Sequence, residues 1–452
     1  MKSTAEIYSF YRECSGITTD SRNITENVMF FALKGDKFDG NDFAIDALKA
    51  GAKYAVVDRP ALADEDSCRS GRLIIVPDVL KTLQLLASYH RNQFDIPVIA
   101  ITGTNGKTTT KELVNAVLST KYNVVATQGN LNNHIGVPLT LFRLNSETQI
   151  AVVEMGASAP GEIKSSVETA HPGYGLVSNV GKAHLLGFGS FDGVKKTKGE
   201  LYDYLQQHNG VAFYNEDNPH LREMISERNL KNTVKYGLNY SKSKILAVSA
   251  DSPFLRVQLS LSGDTSILDE AAEQTIVNTH LVGGYNADNL LAALCVGRYF
   301  NVPLKDAVRA IENYIPSNNR SQMVRTSGNL LIVDAYNANP TSMRASLDNF
   351  SNTEFQNKTL ILGDMLELGA DSTQEHKTIL EAALRVCDKS DNIFLVGREF
   401  KKAAEESSCS NIKLFSDSEA LKTYFEAHPL VGRTILVKGS NGIRLEKLLP
   451  AL

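Results

Sequence analysis

The chain has 452 residues, with 47 Lys and Arg against 51 Asp and Glu and a formal charge of -4. That length exceeds what one core ordinarily serves and points to about three domains, while the near-balanced charge excludes the basic footprint of a nucleic-acid binder. Cys14, Cys68, Cys295, Cys387 and Cys409 form no C-x-x-C pair, so neither a zinc knuckle nor a disulfide framework is suggested and reduced, cytosolic thiols are expected. MKSTAEIYSFYREC carries no apolar leader core, and no stretch approaches the roughly 18 apolar residues of a membrane span, so a soluble, cytoplasmic protein is expected.

In chain order, residues 1–93 alternate the strand-like NVMFFAL, YAVVD and RLIIVPD with the helical FAIDALKAG, the texture of a small α/β domain. Residues 94–315 open with the β-branched IPVIAITG and the helix-periodic KTTTKELVNAVLST. They continue through QIAVVEM, YGLVSNV and GVAFYN, as expected of a central P-loop domain with a parallel sheet and a ligand at the strand carboxyl ends. From 316 onward NLLIVDAY, TLILGDM, NIFLVG and TILVKGS each end in a polar or glycine-rich turn, predicting a Rossmann-like, doubly wound C-terminal domain. The fold class is therefore α/β in three domains: a small N-terminal α/β domain, a central P-loop ATPase domain and this C-terminal one.

Between the first strand and helix of the central domain lies GTNGKTTT, that is Gly103, Thr104, Asn105, Gly106, Lys107, Thr108 and Thr109, with Thr110 closing the run. The glycines permit backbone conformations and a close approach that side chains forbid, so amides and a helix N-terminus can face an anion. Lys107 adds a mobile cation for terminal phosphates, and Thr108 a hydroxyl for a phosphate-bound Mg²⁺. The spacing is shorter than G-x-x-x-x-G-K-[ST], and a glycine turn that merely starts a helix is the plain alternative.

Other candidates are weaker one by one. Glu154 ends QIAVVEM, where a metal on a nucleotide would want a carboxylate, although a capping or ion-paired role fits equally. His184 follows a buried strand in SNVGKAHLLGFGS, and a lone His is more often a structural hydrogen-bonder. Lys195, Lys196 and Lys198 read as a solvated basic helix face. Asn132 and Asn133 in GNLNNHIGVP suit a turn or a polar substrate. Asn286 and Asn289 sit at i and i+3 of a helix start, where the first would cap. Arg320 in SNNRSQ lies at the junction to the third domain, where domain closure could carry it to phosphates; a surface salt bridge is the alternative.

Taken together, these motifs resemble the Mur ligases, ATP-dependent amide-forming enzymes of peptidoglycan synthesis. The resemblance spans nearly the whole chain: TTDSR and ALKGDKFDGNDF, then GTNGKTTT, GNLNNHIGVP, VEMGAS, NVGKAHLLGFGS, KTKGELY and GGYNADNLLAA, then NNRSQ, VDAYNANPTSM, LGDMLELG and VKGSNG. The short loop G-T-N-G-K-T is this family's own form. DAYNANP and LGDMLELG are most similar to the branch that adds D-alanyl-D-alanine to a UDP-N-acetylmuramoyl-tripeptide. The D-N-P-R signature of the diamino-acid-adding branch is absent from the third domain: Asp217 to Pro219 reads DNP, but His220 follows and the stretch lies in the central domain.

The resemblance implies ATP and Mg²⁺, the metal in two sites. Ser21, Arg22, Asp39 and Gly40 would lie near the uridine diphosphate of the substrate, and Asn132 and Asn133 near its muramoyl-peptide part. Lys107 and Thr108 would hold phosphates and Mg²⁺, Glu154 the same metal, and His184 a second one together with a carbamylated Lys198. Asn289, Arg320, Asp334 and Tyr336 would meet adenine, γ-phosphate, ribose and the adenine edge respectively. Asn337 and Asn339 would lie near the incoming dipeptide, and Lys438 would be a last phosphate or substrate contact. Tyr285 stands where many relatives have histidine, and Leu186 where an acid is frequent. A monomer is expected. The rival readings are a diamino-acid-adding Mur ligase, a folylpolyglutamate synthetase, against which the DSR-containing first domain speaks, and a nucleotide switch, whose N-K-x-D is missing. The third residue of the tripeptide is not specified by these motifs.

Overall fold

The computed structural model describes residues 2–64, 66, 71–249, 253–260, 275–317, 319–387, 392–406 and 412–452. Cys68, Cys409 and Asn318 of the NNRSQ stretch lie outside the described residues. The chain divides into two compact units, one of Met1–Ala100, Asn123–Gly156 and Glu162–Tyr174, the other of Ile101–Tyr122, Ala157–Gly161 and Gly175–Leu452.

The first unit contains a four-stranded parallel sheet in the order Gly16–Thr18, Val28–Phe31, Tyr54–Val57, Leu73–Ile75. Alternation along VMFF explains why both its faces are dry: Met29 and Phe31 join Ile7, Leu83 and Leu86 on one side, and Phe30 joins Ala44, Ala47 and Leu48 on the other. Leu83 and Leu86 belong to the helix Val79–Arg91, which starts where Asp78 accepts the Lys81 amide, satisfying one of the donors a helix start leaves open.

A six-stranded sheet carries the phosphate loop. Its order is Thr233–Tyr236, Val211–Asn215, Tyr174–Val177, Val98–Thr102, Ile150–Glu154, Val124–Ala126. Val98–Thr102 and Ile150–Glu154 are buried at every position, as near-continuous apolar runs in a covered parallel sheet should be.

The second unit also holds a six-stranded sheet in the order Gln322–Arg325, Leu330–Asp334, Thr434–Lys438, Lys358–Gly363, Ile393–Val396, Lys413–Phe415. Ile332, Leu360, Leu362, Leu395 and Leu436 pack on one face and Leu331, Val333, Ile361, Phe394, Ile435 and Val437 on the other, so the sheet is covered on both sides as a doubly wound domain requires. At one edge of the sheet Gln322–Arg325 pairs antiparallel with Leu330–Asp334. The residues of Gln322–Arg325 are at most partly buried, as an edge strand allows. Among the described residues no helix is long and apolar enough to cross a membrane.

Candidate active site

The phosphate loop is held by the neighbouring residues 178–181 and by its own Thr104 and Lys107 side chains. Thr104 donates its amide to Asn179 O at 2.9 Å, the Asn105 amide meets Asn179 Oδ1 at 2.9 Å, and Ser178 Oγ donates to Asn105 O at 2.6 Å. Both glycines are required. Gly103 has φ 140 and a Cβ there would meet Ser178 Oγ at 2.1 Å; Gly106 has φ 74 and a Cβ would lie 2.5 Å from Asn289 Oδ1. Gly106 then caps the helix Lys107–Leu118 without any side-chain hydrogen bond, and the positive end of the helix dipole lies at the loop, where an anion is favoured. Lys107 folds back over the loop, donating Nζ to Gly103 O at 2.8 Å and Thr104 O at 3.0 Å. Thr108 and Thr109 are buried behind it. A lysine folded over the loop, a helix N-terminus and a glycine cradle fit the phosphates of a nucleotide.

Glu154 is fully buried at its strand end and accepts from Asn132 Nδ2 at 2.7 Å, while its own amide donates to Thr127 Oγ1 at 2.9 Å. Asn132 therefore orients this carboxylate. Asn133 makes the turn: its Oδ1 accepts the amides of Ile135 at 3.1 Å and Gly136 at 2.8 Å. Asn132 is half-buried and Asn133 exposed.

The lysine cluster does not form one solvated face. Lys196 is exposed and Lys195 pairs with Glu223 at 2.5 Å, but Lys198 is only 2% exposed. It lies on the buried stripe Val194, Leu201, Tyr202 and Leu205 of the helix Phe191–Gln207. Its Nζ sits 5.5 Å from the Phe188 ring centre and 3.5 Å from Ala157 O. His184 adopts a left-handed conformation, φ 50, and its Nδ1 hydrogen-bonds the Glu367 carboxylate. Burial lowers the His184 pKa, the Glu367 carboxylate opposes this, and the charges of Lys107 and Lys198 push further down. The two lysines and the histidine thus share one electrostatic neighbourhood.

Third-domain candidates are placed more variously. The Arg320 guanidinium stacks on the Tyr336 ring at 3.6 Å, a cation–π contact. Asn339 caps the helix Pro340–Asn352 through the Ser342 amide at 2.9 Å, and its Nδ2 donates to Asn105 Oδ1 of the phosphate loop at 2.7 Å. Asn337 Oδ1 accepts the Ala338 amide at 2.9 Å. Asp334 accepts from Ser346 Oγ at 3.1 Å and from the Ser321 amide at 3.3 Å. Lys438, expected as a phosphate or substrate contact, is buried and ion-paired with Asp334. Asn286 stands at the cap position of Ala287–Tyr299 without capping it: its amide donates to Val282 O at 2.9 Å and Ser321 Oγ at 3.2 Å instead. Asn289 accepts from Thr110 Oγ1 at 3.0 Å, which seats it against Gly106. The Tyr285 hydroxyl meets Ser321 Oγ at 3.1 Å, and Leu186 is 73% exposed.

In the N-terminal domain Arg22 pairs with Asp20 at 2.8 Å, beside the half-exposed Ser21. Against the upward push of burial, hydrogen bonds from Asn41 and Arg59 hold the Asp39 carboxyl down at about 2. Gly40 admits no side chain, since a Cβ would lie 2.4 Å from Leu33 O. Sequence reasoning missed Ser178, Asn179, Asp364 and Glu367. Asp364 was detectable as a strand-end acid like Glu154; it accepts the amides of Glu399 and Phe400, each at 2.9 Å. The other three carry no local signal, because their partners are remote in sequence.

Residues 13–91 match the catalytic domain of the Mur ligase family, 101–297 the Mur ligase middle domain, and 319–441 the glutamate ligase domain of Mur ligases. A UDP-N-acetylmuramoyl-tripeptide–D-alanyl-D-alanine ligase of Bacillus subtilis (strain 168) is 33% identical over 97% of this chain and 93% of its own. The protein of that description from Escherichia coli (strain K12) is 35% identical over 96% and 93%. Among solved structures, MurF from Acinetobacter baumannii superposes with a TM-score of 0.82 at 30% identity, covering 96% of this chain and 92% of that one. The MurF ligase of Thermotoga maritima in complex with ADP superposes with a TM-score of 0.81 at 27% identity, over 100% and 98%. With three domain matches in order and relatives aligned over nearly its full length, the chain, a three-domain α/β protein, belongs to the Mur ligase family.

Proposed function

We propose that this chain joins D-alanyl-D-alanine to UDP-N-acetylmuramoyl-tripeptide with consumption of ATP, giving the pentapeptide precursor of peptidoglycan. The observation that carries this reading is the near-full-length identity, 33% and 35%, to two ligases of that description. DAYNANP and LGDMLELG in the third domain support the choice of dipeptide. In this reading residues 1–93 bind the UDP-muramoyl substrate, 94–315 bind ATP, and 316–452 bind the dipeptide and close on ATP. The enzyme works as a cytoplasmic monomer.

A free carboxylate is a poor acyl donor because its oxygen cannot leave. The tripeptide carboxylate therefore attacks the γ-phosphorus of ATP; the bond to ADP breaks and an acyl phosphate forms. The dipeptide amine then attacks the acyl carbon, loses a proton and expels phosphate. Lys107, folded over the loop, and Arg320, held flat on Tyr336, are assigned to the charge that develops on the transferring phosphoryl group. Asn289 would meet adenine, and Asp334 and Tyr336 the nucleoside. Water must be excluded while the acyl phosphate lives, which suits a site that closes only when loaded. Ser21, Arg22, Asp39 and Gly40 are assigned to the uridine diphosphate, Asn132 and Asn133 to the muramoyl-peptide, and Asn337 and Asn339 to the dipeptide.

Mg²⁺ would be held by Thr108 and Glu154 and, at a second position, by His184 and Lys198; when bound it neutralises phosphate charge. Among the described residues no three His, Cys, Asp or Glu side chains cluster to hold a metal, so the donor set needs an oxygen from elsewhere. Carbamylation of the buried Lys198 would supply two. Phosphate release tests the function: UDP-muramoyl-tripeptides bearing meso-diaminopimelate or lysine are supplied with and without D-alanyl-D-alanine. Turnover is expected only with the dipeptide; equal turnover of a UDP-muramoyl-dipeptide with a free diamino acid would reject the reading.

A further inference from the structure

In the third-domain sheet the strand Thr434–Lys438 lies between Leu330–Asp334 and Lys358–Gly363 and runs parallel to both. The loops leaving the three strands therefore stand side by side at their carboxyl ends, where ligands of such sheets bind. Ser440, in the loop of the middle strand, is 3% exposed and engages both flanking loops. Its amide donates to Asp364 O at 3.1 Å, and its hydroxyl accepts the Leu366 amide at 3.0 Å while donating to Ala338 O at 3.4 Å. A hydroxyl has one proton to give; here it goes to the DAYNANP loop, while a lone pair holds LGDMLELG.

The second of these loops is pinned from several sides. Met365 gives its amide to His376 Nε2 at 3.0 Å, so two successive backbone amides are taken by side chains from two separate segments. Farther on, Glu367 O accepts the Leu186 amide at 3.3 Å and Lys182 Nζ pairs with Glu375 at 2.7 Å, which docks 367–375 as a strip against 182–186. Leu366 and Glu367 are nevertheless exposed, as is Asn337 in the other loop. A backbone fixed this closely beneath exposed side chains serves recognition rather than core packing.

We propose that Ser440 is a positioning residue for the amine substrate: its single hydroxyl sets the spacing between Asn337–Ala338 and Leu366, so that the two loops meet a small dipeptide at a fixed separation. The proposal deepens the assignment of 316–452 to D-alanyl-D-alanine and rests on it.

Steady-state kinetics and hydrogen exchange of the 364–368 backbone test it on the full-length protein. Ser440→Ala should raise KM for D-alanyl-D-alanine roughly 5–30-fold, the consequence of leaving a donor and an acceptor without the group between them. KM for ATP should not change, and exchange at 364–368 should quicken. Ser440→Thr, which keeps the hydroxyl, should recover most of both effects. Ser440→Cys, close to serine in size but a weak hydrogen-bonder, should behave as Ser440→Ala does, and it carries the test if the alanine variant does not fold. Faster exchange with an unchanged KM for the dipeptide would reduce Ser440 to a structural brace and overturn the proposal. An equal rise in both KM values, or wild-type kinetics in Ser440→Cys, overturns it as well. If the wild type releases phosphate equally without the dipeptide, the functional reading fails and the positioning role falls with it, a result read before any variant is compared.

Discussion

Replacing Lys438 by methionine separates two accounts of this residue by where the damage falls. The side chains of Lys438 and Asp334 are 2% and 16% exposed and form an ion pair inside the third domain. Lys438→Met keeps the length of the stem but strands the Asp334 carboxylate, which among the described residues keeps Ser346 and the Ser321 amide. Breaking a buried pair from one side costs about 3–5 kcal/mol. At roughly 3 °C per kcal/mol for a domain of this size, the thermal transition of the third domain should fall by about 9–15 °C. The assay is differential scanning fluorimetry beside steady-state kinetics at a temperature where the variant is folded. A double variant, Lys438→Met with Asp334→Leu, should regain much of the lost stability, because no charge is then left uncompensated. An unchanged transition together with a large rise in KM for ATP would refute the structural account and restore Lys438 as a phosphate contact.

Lys198→Ala should lower turnover by about 10²-fold or more, whereas Lys195→Ala should not; small carboxylates should partly rescue the first, and normal turnover of a folded Lys198→Ala enzyme would reject the carbamate. His376 gives a pH prediction. Burial lowers its pKa, against the Ser372 hydrogen bond and the Asp364 charge, and its Nε2 accepts the Met365 amide at 3.0 Å. The unfolded chain then binds this proton more readily than the folded one, so stability is full above about pH 6.5 and is lost as pH falls from there toward the folded value. Urea unfolding between pH 7.5 and 5 should show a shallower slope in His376→Gln, and equal slopes would contradict it.

The residues that were legible in the sequence are those whose role is local. Gly103, Gly106 and Lys107 act through a strand, a turn and a helix start that are contiguous. Lys198 was legible too, but the basic run drew attention from the helical period, which sets it on the stripe of Val194, Leu201, Tyr202 and Leu205. Lys438 shares a face with Leu436 by strand alternation, yet its partner follows only from the pairing of Asp334 with Lys438 across two strands separated in sequence by most of the third domain. Glu367 has a polar exposed environment and no spacing rule; only the docked strip marks it. Alternation and helical period reveal which face a residue takes, whereas a partner's identity depends on register and docking.

The short reach of the strip that carries Glu367 has a kinetic consequence. Met365 is tied to His376 and Leu366 donates its amide to Ser440 Oγ at 3.0 Å, while the helix Ser372–Val386 begins a few residues later. Only 367–371 lie between these anchors. A connection of about ten residues or fewer closes in roughly 10–100 ns, and typical enzyme turnover takes about a millisecond to a second. The Glu367–His184 contact can therefore break and re-form many thousands of times within one catalytic cycle. It behaves as a rapid pre-equilibrium, and mutations in 367–371 should be read as changes in its bias rather than as a slow gate.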